Sequence, residues 1–203
     1  MNRAELKAAA KSQIKGKIGI LFLITLIIAL ISGIAGAILS LIPFGSLVAS
    51  IIITPAFSLS LIRVYLNVIK GNTPAAGDAF SGFDDFWSAF KVTFLVGLFT
   101  FLWSLLFVIP GIVKGYSYSM STYVLAENKG KPALECIKES KAMTEGHKMD
   151  LFVLDLSFIG WYLLCGITFG IAGIWVIPYI SATYANVYNY LKPVVAQEPV
   201  AAE

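Results

Sequence analysis

The chain predicts an all-α membrane protein: six transmembrane helices arranged as three hairpins, with short cytoplasmic interfacial helices. Three observations carry this. Of its 203 residues 58% are hydrophobic and 13% charged, whereas soluble domains carry roughly 25% charged residues. The mean hydropathy is +0.80, and the apolar residues gather into runs long enough to cross a hydrocarbon layer about 30 Å thick. Finally, no ionisable side chain occurs from Ile18 through Ile62, a stretch that needs lipid as solvent and is too long for one crossing.

The elements follow in order. Residues 1–17 carry Arg3, Lys7, Lys11, Lys15 and Lys17, with Leu6, Ala10 and Ile14 spaced like one helical face; they form a basic amphipathic lead-in suited to an anionic leaflet. Spans are expected at about 18–42 and 47–69, divided by Ile42-Pro43-Phe44-Gly45-Ser46. In the next connection Phe80, Phe83, Phe86, Trp87 and Phe90 recur at helical spacing. They fit an interfacial helix with aromatics at headgroup level, or aromatics that pack on neighbouring helices. Spans at 92–109 and 112–126 flank Pro110-Gly111 as an outer turn. Pro132 then opens a charged helix with Glu135, Lys138, Glu139, Lys141 and Glu145, for which Leu134, Ile137 and Ala142 supply a weak apolar stripe. The last spans are expected at 150–168 and 174–191, around the Gly-rich 169–173 turn. Residues 192–203 form a disordered tail.

The six spans make one transmembrane domain, 18–191. Its lysine-bearing connections all fall on one side and the three outer turns carry no charge, which places both termini in the cytoplasm. The first apolar run exceeds the 7–15 residues of a signal peptide, so it is expected to stay in the mature protein. With a net charge of +3 and basic residues at membrane boundaries, nucleic-acid binding is not expected. Cys136 and Cys165 fall in a polar loop and an apolar span, so neither a disulfide nor a metal site is indicated.

Thr54-Pro55-Ala56-Phe57-Ser58 overlies Ile177-Pro178-Tyr179-Ile180-Ser181, and the same register brings Val64-Tyr65 onto Val187-Tyr188. This is either a trace of repetition or a coincidence of common membrane residues. Small residues line two helix faces: Ala29, Gly33 and Ala37 in the first span, and Ser46, Ser50, Thr54 and Ser58 in the second. The second stripe suits helix packing or a polar pathway. Intramembrane charge is costly and functionally suspect. At about 1.5 Å per residue, Arg63 and Asp155 each lie roughly 10 Å from the charged boundary. With Asn186 they make a candidate intramembrane polar layer, though Arg63 can also snorkel to the interface. Lys114 is expected to snorkel outward.

No enzymatic signature emerges. His147 stands alone in a loop, there is no phosphate loop or nucleophile elbow, and Asp84-Asp85 are adjacent as at a helix N-terminus. A non-enzymatic scaffold, regulator or protective bundle is expected, with no cofactor. It would act through the lipid bilayer, a membrane protein partner or a homo-oligomer, with Phe83, Phe86, Trp87 and Phe90 as interfacial candidates and the charged helix from Pro132 as a second contact surface. The alternative is a small transporter or channel.

Ile109-Pro110-Gly111 followed by Tyr116-Ser117-Tyr118 and Tyr123, Ala142-Met143-Thr144 with Gly146 and Lys148, the run Leu156-Ser157-Phe158-Ile159-Gly160-Trp161, Pro178-Tyr179 and the opening Arg3-Ala4-Glu5-Leu6-Lys7 together resemble the domain-of-unknown-function 975 family, from about Arg3 to Leu191. The resemblance implies a multi-pass protein of the bacterial cytoplasmic membrane, chiefly of Gram-positive lineages, with no established activity and no catalytic residues to carry over. The family is also distantly similar to the membrane portion attached to some glycerophosphodiester phosphodiesterases, an analogy of fold alone.

Overall fold

The computed structural model describes residues 1–42 and 45–195, with side chains described for all of these except 45–50 and 193–195. Among the described residues the regular structure is entirely helical. Ten α-helices run in the order α1 Arg3–Ile14, α2 Ile18–Leu39, α3 Gly45–Ile69, α4 Phe86–Leu106, α5 Val108–Tyr118, α6 Ser121–Glu127, α7 Ala133–Thr144, α8 Lys148–Leu156, α9 Ile159–Ile167 and α10 Gly173–Val195. Two 3-10 turns, Ala76–Phe80 and Phe83–Asp85, lead into α4. The expected turn at Pro43-Phe44 and the tail beyond Val195 lie outside the described residues.

Among the described residues four stretches are long and apolar enough to cross a membrane: Ile18–Leu39, Ile51–Ile69, Ala76–Leu106 and Lys148–Ile167. The expected fourth crossing is divided between α5 and α6. The sixth corresponds to α10, which is long enough but carries Asn186, Asn189 and several tyrosines that lower its hydropathy.

The lead-in forms α1, whose Asn2 side chain accepts from the Glu5 N–H as an N-cap. Its apolar face docks on the bundle, with Ala10 and Ile14 buried. The α4–α5 turn differs from expectation. Pro110-Gly111 does not make it; the single extended residue Phe107 does, and Pro110 occupies the first turn of α5, where its missing N–H costs no bond. Gly111 lets the two helices close, since a Cβ there would lie 2.1 Å from Ser104 Oγ.

The fourth and fifth expected spans are both interrupted, after Tyr118 and after Leu156. At the first break α7 supplies the missing partners. Ser140 Oγ donates to Ser117 O at 2.9 Å and accepts from Met120 N at 3.1 Å, and Thr144 Oγ1 also donates to Ser117 O. The buried face of α7 is therefore Cys136, Ile137, Ser140, Met143 and Thr144, while Leu134, expected on the apolar stripe, is exposed. At the second break, within Leu156 to Trp161, Phe158 is fully buried edge-on against Tyr179, and Ser157 accepts from Lys7 Nζ.

Packing is uneven along the molecule. The core joins α1, the first half of α2, the second half of α3, the start of α4, α6, α7, α8 and the second half of α10. At the other end the helices leave Leu41, Phe107, Val108, Ile109, Ile167 and Phe169 open.

Candidate functional site

Polar side chains concentrate where the helices pack. Lys17 Nζ donates to the carbonyls of Gly71 and Asn72, which ties the start of α2 to the end of α3. Lys70, at the end of α3, donates to Glu127 at 2.8 Å, and Lys192 and the Tyr188 hydroxyl, both of α10, donate to the other Glu127 oxygen. Glu127 thus joins three helix ends. Burial works against its charge, but the hydrogen bonds from Lys192 and Lys70 outweigh that and hold its carboxyl below the ordinary range. Lys129 stands 4.0 Å from Asp84. The lysines of four chain segments therefore meet at one end of the molecule.

The three members of the expected polar layer do not meet one another. Arg63, 9% exposed, donates instead to the Asp85 carboxylate and to the Ser81 carbonyl. Asn186 forms a reciprocal amide pair with Gln13 of α1, at 2.7 and 3.3 Å. Asp155 accepts from the Tyr116 hydroxyl at 2.8 Å and from the Tyr184 hydroxyl. Counting residues from a boundary gives depth along a helix but not the direction a side chain faces: α3 turns Arg63 toward the 76–85 loop, and Asp155 faces α5 and α10.

The loop itself is clamped on α3. The Gly82 N–H donates to Ser60 Oγ at 2.8 Å, and a Cβ at Gly82 would lie 2.0 Å from Ala56 O, so only glycine permits this approach. Phe83 meets Phe57 edge-on with centroids 5.1 Å apart. Phe86, Trp87 and Phe90 pack on one another, and Phe90 stacks on Phe94; of these Trp87 is the most open, at 69% exposure. Of the small-residue stripe, Ser46 and Ser50 have side chains outside the described set. Thr54 is exposed and Ser58 Oγ donates to the Pro55 carbonyl. Lys114 lies 4.5 Å from the Trp103 ring centroid. Among the described residues no three His, Cys, Asp or Glu side chains are grouped to hold a metal ion.

Sequence reasoning missed the Glu127 hub, although Glu127, Lys70 and Lys192 each stand at the end of an apolar run. It also missed Asp85 as the partner of Arg63, since adjacent acids before a helix read equally well as dipole partners.

Fold and site define a class: an all-helical bundle with apolar helices of bilayer length, closed at one end by ion pairs. The chain belongs to the family described as "Protein of unknown function (DUF975)", whose model matches residues 1–114 and 106–194. Neither a curated protein nor a solved structure matches it.

Proposed function

We propose that this is a six-span protein of the bacterial cytoplasmic membrane, with both termini inside, that works without enzymatic chemistry by holding lipid or a protein partner at its inner end. One observation carries the reading: the charged connections are gathered and paired at one end, around Glu127, while the other end presents bare apolar side chains. Lipid accepts that apolar surface, and lysine-rich connections resist translocation. The crossings by α5 with α6 and by α10 complete an even number, as termini on the same side require.

Reporter fusions before Met1 and after Glu203 should both read as cytoplasmic, and a tag inserted after Phe169 as external; either terminus outside would refute the topology. Purification from membranes should recover one stoichiometric protein or a defined lipid. The competing reading, a small transporter, is favoured by Asp155, a carboxylate with no cation within 4.0 Å among the described residues. Solute flux in proteoliposomes that disappears on Asp155→Asn would establish it and displace the scaffold.

A further inference from the structure

A cavity of about 580 Å³ opens at the charged end, between the last turns of α3, the Asp78–Ser81 turn, the connection after α6 and the end of α10. Arg63, Lys70, Lys129 and Lys192 line it against Asp78, Glu127 and Glu139. The carboxylates are already engaged. Glu127 accepts from two lysines and a tyrosine, Glu139 from Lys131, and Asp78 from the Ala75 N–H at 2.9 Å.

The cations retain capacity. An ammonium has three donors, and Lys70 and Lys192 each direct one hydrogen bond to Glu127. Lys129 is 65% exposed and only loosely placed near Asp84. Two further polar atoms of lining residues, Arg63 Nε and Ser81 Oγ, are buried and, among the described residues, have no hydrogen-bond partner. Buried polar groups are seldom left so, and each calls for a partner.

We infer that this cavity binds a phosphate-bearing anion, seated among Arg63, Lys70, Lys129 and Lys192. A phosphate offers several acceptor oxygens and accepts ammonium groups as point charges. The cavity falls within the roughly 300–1,000 Å³ usual for small-molecule sites. The phosphate can come from the headgroup of an anionic phospholipid or from a soluble phosphorylated molecule. In placing the cavity at the inner leaflet the inference rests on the proposed topology. Binding is measured in detergent, where orientation plays no part, so failure of either is separable from failure of the other.

The test uses the purified full chain in a neutral detergent, with thermal unfolding and titration calorimetry as readouts. The probes are inorganic phosphate, a short-chain phosphatidylglycerol and the matching phosphatidylcholine, at constant ionic strength. Because Arg63→Gln risks misfolding, the diagnostic variant is Lys129→Gln with Lys192→Gln, whose side chains are 65% and 53% exposed. The control is Lys138→Gln with Lys141→Gln, on the outer face of α7. Phosphate, phosphatidylglycerol or both should bind and raise the unfolding temperature, with affinity at least about fivefold lower in the diagnostic variant and unchanged in the control. Phosphatidylglycerol alone assigns a lipid headgroup, and inorganic phosphate alone assigns a soluble ligand. No binding of either, equal binding of phosphatidylcholine, or equal losses in both variants overturns the inference.

Discussion

Arg63 and Asp155 should be energetically independent, although the sequence places them at similar depth. The structure gives each its own partner: Asp85 for Arg63 and the Tyr116 and Tyr184 hydroxyls for Asp155. Hydrogen bonds to a charged group contribute about 1.5–3 kcal/mol in soluble proteins, but couplings between membrane helices average about 0.6 kcal/mol and reach about 1.7. A double-mutant cycle of Asp155→Asn with Tyr184→Phe should therefore return a coupling of about 1 kcal/mol. The Arg63→Gln and Asp85→Asn cycle should return more, about 2 kcal/mol, because the two side chains are only 10% and 15% exposed and each single change strands a largely buried charge. Arg63→Gln with Asp155→Asn should be additive within about 0.3–0.5 kcal/mol. Reversible unfolding in mixed micelles, followed by helix content against denaturing detergent, measures all three. A coupling between Arg63 and Asp155 above about 1 kcal/mol, or strict additivity of Asp155 with both tyrosines, would refute the assignment of partners.

Gly82→Ala should destabilise the chain by about 3 kcal/mol or prevent its accumulation, because the new Cβ meets the Ala56 carbonyl and Ser60 N, both backbone atoms. Gly77→Ala, where nothing lies within 4 Å, is the control, and equal yields and melting temperatures would contradict the clamp. Glu127→Gln should cost about 1 kcal/mol at neutral pH, since its lysine partners are about half exposed and screened. The folded pKa of Glu127 lies below its ordinary value of 4.5, so its contribution is complete above that value and fades as the pH falls through the depressed one. The native chain should thus converge on Glu127→Gln in melting temperature below about pH 4.5, and a constant gap across that range would count against the hub. Burial pushes the Cys136 thiol up to about 11, so in a Cys165→Ser chain at pH 8 maleimide should label the folded form at least about tenfold more slowly than the unfolded one; equal rates would show the site to be open.

Composition made the apolar helices legible, because a run with no ionisable residue from Ile18 through Ile62 is long and apolar enough to suit a bilayer. The face of α1 was legible for a related reason: Ala10 and Ile14 repeat at helical spacing and are the residues buried. What escaped was azimuth and interruption. Pro110 looks like a turn yet lies within the first turn of α5, because proline is as well suited to helix starts as to loops. The breaks after Tyr118 and Leu156 have no glycine or proline signal in the breaking residues, since Ser119-Met120 and Ser157-Phe158 are compatible with helix. They depend on tertiary partners that local pattern does not encode.

Those partners constrain any account of the protein as a scaffold. In a bilayer, backbone groups freed by a broken helix must be satisfied within the protein, and at the α5–α6 break Ser140 and Thr144 satisfy them from the connection that follows. Helix α7 is therefore part of the bundle, and its inner face is committed to holding the interrupted span. Only its outer face, with Leu134, Glu135, Lys138 and Lys141, is left to meet a partner, and three of these four are charged. A partner recognising α7 would thus read charge rather than an apolar stripe, and its binding should weaken with salt, because exposed charges more than about 10 Å apart are largely screened at 0.1 M ionic strength. Salt-independent capture through α7 would require the helix to leave the break, at the cost of exposing Ser117 O and Met120 N.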